Sequence, residues 1–232
     1  MSTNTLSFPH MQIPKNLTAV LFDVGQTILS PDYVFMKNML ADFGVTTDFD
    51  ALAKGAALGR EKFLRGKQGD RWKEFFTFWL QYAGASAQNI PAMLKLIHEH
   101  HHRVHLWNYE EPTARETFAW LRAHNYRMAI ISNADGKVER MLKHLALDHF
   151  FECIIDSQIV GVEKPAPAIF QLALERMQLP AHTCLYIGDN YDRDVVGARR
   201  AGLTPVLLDP YDVVAEQDVP RIKTLVELTT LL

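Results

Sequence analysis

The chain has little that would tie it to secretion, to a membrane or to nucleic acid. Of its 232 residues only two are cysteines, Cys153 and Cys184. Both lie in or beside apolar runs without CxxC spacing, which excludes a disulfide framework and reads as free, buried thiols in a reducing compartment. No window approaches the roughly 20 consecutive apolar residues that a bilayer-spanning helix needs. Met1 to Lys15 is polar with prolines and lacks the basic start and apolar stretch of a signal peptide. A soluble, cytoplasmic protein is therefore expected. The formal net charge of −3 offers no basic balance, so nucleic acid is not an expected partner. There is no internal repeat and no low-complexity tract.

What is present is a chain able to bury a core. It is 48% hydrophobic and 22% charged, and is long enough for one large domain or a domain with a sizeable insertion. Its organising stretch is Ala19-Val20-Leu21-Phe22, an apolar run of the length of a fully buried strand. The run ends on the carboxylate of Asp23, and Gly25 follows as the residue expected to let the backbone turn sharply. The pattern recurs. Met128–Ile131 ends in Ser132-Asn133, and Cys184–Ile187 ends in Gly188-Asp189. If these strands are parallel neighbours, Asp23, Ser132 and Asp189 converge at the carboxyl edge of a sheet, where open α/β folds bind their ligands.

Between Pro31 and Tyr109 the periodicity is helical, with no convincing strand. A first helix is expected near Asp32–Phe43, stopped by Gly44. A second spans Asp50–Leu64, softened by Gly55 and Gly59. A third carries Trp72, Phe75, Phe76 and Trp79 at i, i+3, i+4, i+7. Pro91 belongs in the first turn of a fourth, which runs to about Leu106. Four consecutive helices read as a small bundle inserted into an α/β domain.

After Pro112 strands and helices alternate. Asp135 is expected to cap a helix over Gly136–Leu147, and Pro165 or Pro167 to open the helix through Met177. A helix near Arg193–Ala201 is stopped by Gly202, and Leu225, Leu228 and Leu231 belong to a last helix. Short loops between such elements argue for a parallel sheet covered on both faces.

Asp23, Thr27, Ser132, Lys164, Asp189 and Asp194 form the chemical constellation. A phosphoryl group is a dianion at neutral pH, and a carboxylate nucleophile cannot approach it unless charge is offset. Carboxylates holding a divalent ion, with one ammonium and one hydroxyl, meet that need. Asp23 would then be the nucleophile.

In order, Asp23-Val24-Gly25-Gln26-Thr27, Ser132-Asn133, Lys164-Pro165 and Gly188-Asp189 with Asp194 resemble the motifs of the haloacid dehalogenase superfamily. More narrowly, the chain resembles the group with a helical cap inserted after the first motif. The resemblance implies a Rossmann-like core from 1–29 and 112–232 and a helical cap over 30–111. It implies catalytic roles for Asp23, Thr27, Ser132 and Lys164. Substrate phosphate would be held by Ser132, Asn133 and Lys164. Mg2+ would be bound by Asp23, the Gly25 carbonyl, Asp189 and Asp194. The implied activity is hydrolysis of a small phosphorylated metabolite through an aspartyl-phosphate on Asp23.

One departure stands out. Phosphatases of this family carry a second Asp two residues after the nucleophile, which protonates the leaving group. Here that position is Gly25. Acyl or aryl phosphates, whose leaving groups need little help, are therefore the favoured substrates; a second reading is that Gln26 or a cap residue helps position water or substrate, though an amide is a poor acid. The alternatives are a metal-independent dehalogenase-like hydrolase, since halide leaves without a proton, and a catalytically weak binding or regulatory protein. Two further features are read conservatively. His98-Glu99-His100-His101-His102 matches H-E-x-x-H, but a histidine-dense run gives that match easily, and it is taken as a solvated or partly packed helix face. Arg60, Lys62, Arg65 and Lys67 form a basic cluster, by default solvated, with a reach over an anionic substrate as the sharper reading.

Overall fold

The computed structural model describes residues 13–65 and 71–232. At its centre is a six-stranded parallel sheet of order β5-β4-β1-β6-β7-β8. Its strands are β1 (Ala19–Phe22), β4 (Arg127–Ser132), β5 (Cys153–Asp156), β6 (Cys184–Gly188), β7 (Thr204–Leu208) and β8 (Arg221–Ile222). β1 pairs with β4 on one side and β6 on the other, in register Phe22↔Ile130 and Phe22↔Ile187. The three strand ends named from the sequence are therefore neighbours.

Burial of β1 on both faces follows from its composition. Val20 and Phe22 face one layer, with Phe118 and Leu121 of α5 (Ala114–Ala123) and Leu228 of α10 (Leu228–Leu231). Ala19 and Leu21 face the other, against Ile169 and Phe170 of α8 (Pro167–Met177). The period-2 alternation of a strand makes this division. Both faces are covered, as expected for a parallel sheet.

The segment between β1 and α5 holds four helices, α1 (Tyr33–Asp42), α2 (Phe49–Phe63), α3 (Trp72–Tyr82) and α4 (Ile90–Val104), with their own apolar core. Asp32 and Asp48 cap the first two, each accepting a hydrogen bond from the backbone N–H three residues on. Phe75, Phe76 and Trp79 are buried in that core, and Trp79 Nε1 donates to the Leu52 carbonyl at 2.8 Å. Gly55 and Gly59 do not interrupt α2. A Cβ at Gly55 would lie 2.7 Å from the Tyr82 ring, so the absent side chain lets α2 and α3 approach. Lys67 lies outside the described residues.

Four expectations need correction. The stretch 31–109 is not strand-free: β2 (Leu29–Pro31) and β3 (Trp107–Glu110) form an antiparallel ribbon where the chain enters and leaves the bundle. Three and four residues are too few to show a period. The sharp turn after Asp23 is taken by Gln26, with φ 58°, and Gly25 has no positive φ. Its geometry comes from the Val24 carbonyl, which accepts from the N–H groups of Thr27, Ile28 and Leu29. Asp135 does not cap α6 (Val138–His144). Asp156, from the neighbouring strand, takes that work by accepting from the N–H groups of Gly136 and Val138. It also caps the short α7 (Ser157–Val160). The expected 193–201 helix begins as a π-helical turn over Tyr191–Val196 before α9 (Gly197–Arg200).

Candidate active site

The site lies at the carboxyl edge of β4, β1 and β6, in a cavity of about 350 Å³. Asp23, Gly25, Ser132, Asn133, Lys164, Asp189 and Asp194 all line it. Thr27 is not among the lining residues; it is buried behind them, and its hydroxyl has no hydrogen-bond partner among the described residues.

Lys164 is the hub. Its side chain is 2% exposed, and Nζ donates to Asp23 Oδ1 at 2.6 Å, Asp194 Oδ1 at 2.7 Å and the Tyr186 hydroxyl at 2.9 Å. All three ammonium protons are thereby used. Asn133 fixes the lysine's backbone, accepting from Lys164 N–H at 2.7 Å and donating to its carbonyl at 3.0 Å. The Asn133 side chain is thus committed to holding Lys164. Tyr186 donates to the Ile131 carbonyl at 3.0 Å, which fixes the hydroxyl on which Lys164 rests.

Asp194 is held from both sides. One oxygen meets Lys164 and the other accepts from Asn190 N–H at 2.9 Å. Its carboxylate lies directly over Gly188, where an added Cβ would be 2.3 Å from Asp194 Cγ. Only glycine leaves this space, which explains the Gly188-Asp189 pair at the end of β6. Asp189 meets the helical bundle: Arg60 of α2 donates to both its carboxylate and its carbonyl. Arg60 is 5% exposed and its Nε has no partner among the described residues. Among the described residues of the basic cluster, Arg60 is the one that joins this centre. Arg65 pairs with Glu61, Asp192 and Glu216, and Lys62 lies over the Phe63 and Phe78 rings.

Three buried carboxylates thus face two cations. Burial pushes Asp23 up to about 7, with Asp194 and Asp189 adding to the rise and Lys164 opposing it. Asp189 is raised by burial and by Asp194, against Arg60. Burial disfavours the Lys164 ammonium, but Asp194 and Asp23 hold it above its ordinary value. Oxygens of Asp23, Asp189 and Asp194 come within 4.8 Å of one another. A surplus of hard oxygen donors under mutual repulsion suits a divalent cation of the magnesium class.

Gly25 faces the Trp107 indole, with Nε1 3.7 Å from where a Cβ would stand. That is ordinary van der Waals contact, so packing does not forbid a side chain there. Nothing in the chain marks Trp107 or Tyr186 as a neighbour of the site. Tyr186 lies in an apolar run that points only to packing, and Trp107 in a strand too short to show a period. The H-E-x-x-H histidines do not reach the carboxylate centre: His98 and His102 meet each other on an exposed helix face, Nε2 to Nε2 at 3.0 Å.

Comparison with known proteins agrees with this geometry. The chain is 27% identical over 209 residues to a glyceraldehyde 3-phosphate phosphatase of Methanothermobacter thermautotrophicus, covering 87% of this chain and 90% of that one. It is 30% identical over 124 residues to haloacid dehalogenase-like hydrolase domain-containing protein 3 of Xenopus laevis, covering 53% of this chain and 50% of that protein. The match thus spans about half the length of that relative. Among solved structures, a putative hydrolase from Bacillus subtilis bound to magnesium shares the fold with a TM-score of 0.64 at 24% identity, over 94% of this chain and 99% of that one. The family model for haloacid dehalogenase-like hydrolases matches residues 17–202, which hold the whole site, and the chain belongs to that family.

Proposed function

We propose that this protein is a divalent-metal-dependent phosphatase of small phosphorylated metabolites, with Asp23 as nucleophile. The observation that carries the reading is the fully engaged Lys164, bridging Asp23 and Asp194 at the floor of a cavity crowded with carboxylates. A phosphoryl dianion can enter only where positive charge offsets both it and the nucleophile. Lys164 supplies part of that charge, and a divalent ion held by Asp23, Asp189 and Asp194 would supply the rest as a Lewis acid.

The chain's own residues account for the remaining steps. Asp23 Oδ2 is free of Lys164 and attacks phosphorus, so the new bond is Asp23 O–P and the bond to the leaving oxygen breaks. Ser132, 3% exposed at the end of β4, offers a hydroxyl to a phosphoryl oxygen. Water then attacks the aspartyl-phosphate and frees inorganic phosphate. Gly25 provides no proton, so leaving groups stable as anions are favoured, as in acyl and aryl phosphates. Relatives named as phosphatases of glyceraldehyde 3-phosphate and ribulose-1,5-bisphosphate support small phosphorylated substrates. Residues 30–111 act as the cap over a core of 1–29 and 112–232, with Arg60 as their contact with the metal-binding carboxylates.

The test compares phosphate release from an aryl and an alkyl phosphate, with magnesium and with chelator, in wild type and Asp23→Asn. Metal-dependent release from the aryl ester, abolished in the variant, is expected. Halide release from a 2-haloacid in chelator would instead assign the dehalogenase reaction. Absence of both from folded protein would leave a binding role.

A further inference from the structure

A second group of donors lines the same cavity. His101 and His105, one helical turn apart at the end of α4, meet Asp135 from the loop after β4. One donor atom from each lies within 4.8 Å of the others. His105 Nε2 stands 3.8 Å from Asp135 Oδ1, and the two imidazole centroids are 4.6 Å apart. We propose that His101, His105 and Asp135 form a second metal site, for a borderline divalent ion of the zinc class, which ties the helical bundle to the parallel-sheet core.

The donor chemistry selects the ion. The Asp23 centre offers only oxygen and suits a hard cation, whereas two imidazoles and one carboxylate suit zinc, cobalt or nickel. Tetrahedral zinc with bonds of about 2.0–2.2 Å brings its ligand atoms to roughly 3.3–3.5 Å apart. The His105–Asp135 gap is near that already, and the rest needs closure of about an ångström.

Two further features support the assignment. His105 holds φ 67° at the end of α4, a conformation that a residue with a side chain adopts only at a cost. Burial first, and then His105, press His101 down to about 4, and burial also lowers His105, so both rings are neutral and able to ligate near pH 7. Two contacts compete with the ion. Lys137 pairs with Asp135. Leu106 N–H donates to His101 Nδ1 at 3.3 Å. An ion bound through His101 Nε2 requires the ring proton to move to Nδ1 and that contact to be given up. It is long for a hydrogen bond, and its loss is small beside a metal–nitrogen bond.

This site is independent of any phosphatase activity, and its test needs no turnover. Zinc is titrated into the 232-residue chain against a chromophoric chelator, with magnesium in excess to fill the Asp23 centre. Cobalt is added in parallel for its visible ligand-field absorption. One zinc per chain is expected, weakened at least about tenfold by His105→Asn and by Asp135→Asn, each with loss of the cobalt bands. The Asp135 side chain is 40% exposed, so Asp135→Asn tests the site without threatening the fold. A His98→Asn/His102→Asn variant should bind zinc as wild type does. The proposal is overturned if no zinc is taken up, if His105→Asn and Asp135→Asn leave uptake unchanged, or if uptake is lost instead in the His98/His102 variant or in Asp189→Asn.

Discussion

Replacing Lys164 with methionine removes one charge and keeps most of the side chain's length. The ammonium makes three hydrogen bonds, two of them to carboxylates, and is almost wholly buried. Removing one partner of a buried ion pair leaves charge uncompensated, at a cost of about 3–5 kcal/mol. The loss must depend on pH. A carboxylate whose folded pKa exceeds its unfolded value binds more protons when folded, so stability falls as pH rises between the two. For Asp23 that window already runs from 3.8 to about 7 in wild type. Without Lys164 its upper limit moves higher. Urea unfolding in chelator at pH 5 and pH 8, followed by fluorescence and circular dichroism, reads this directly. Lys164→Met should lose about 3–5 kcal/mol at pH 8 and clearly less at pH 5. A loss below about 1 kcal/mol at pH 8, or an equal loss at both pH values, would refute the role given to Lys164.

Other expectations follow from single contacts. Gly25→Asp places an acid where only the Trp107 edge stands nearby, and should raise kcat on an alkyl phosphate by up to about 10²-fold while changing the aryl ester little, a ratio read by steady-state kinetics. Gly188→Ala drives a methyl into Asp194; it should cost about 1–3 kcal/mol in urea melts and reduce the rise in Tm that the proposed metal site predicts on adding magnesium. His101, buried in its neutral form, has a folded pKa below the unfolded value of 6.5. His101 should therefore contribute a loss of stability as pH falls from 6.5 towards about 4, opposite in sign to the Asp23 contribution over the same range. In chelator, His101→Gln should remove that contribution, so that its stability relative to wild type rises as pH falls from 6.5 to about 4, and a pH-independent difference would contradict it. Asp156→Ala orphans the N–H groups of Gly136, Val138 and Gln158, and should cost about 1–2 kcal/mol in thermal or urea unfolding.

Much of this was legible in the chain itself. Apolar runs ending in Asp23, Ser132 and Asp189 fixed three strands, and their convergence required only that they be neighbours in a parallel sheet. Helices α1 to α4 were readable because their apolar patterns are long; that Asp32 and Asp48 cap the first two emerges only from the structure. The β2–β3 ribbon and β8 were not, because two to four residues carry no period. In sequence Asp135, and not Asp156, looks like the cap of α6, for a physical reason. Either carboxylate can cap a nearby helix, and only the pairing of β4 with β5 puts Asp156 at the right distance. Arg60 was one of four equivalent cations in sequence. What separates it is the packing of α2, and packing leaves no local mark. Tyr186 was hidden because an inward-facing residue of a buried strand is expected to be apolar, and its hydroxyl found a use only once Lys164 arrived from 22 residues upstream.

The central place of β1 bears on how the molecule is made. Its four residues are fully buried, and both flanking strands come much later in the chain. On a ribosome adding about 5–20 residues per second, Ala19–Phe22 emerges some 8–30 s before β6 is synthesised. Throughout that interval the stickiest segment of the nascent polypeptide has at most one of its two edges covered. It is there that a chaperone would be expected to engage, and there that slowing of translation between β4 and β6 would most strongly favour aggregation over folding.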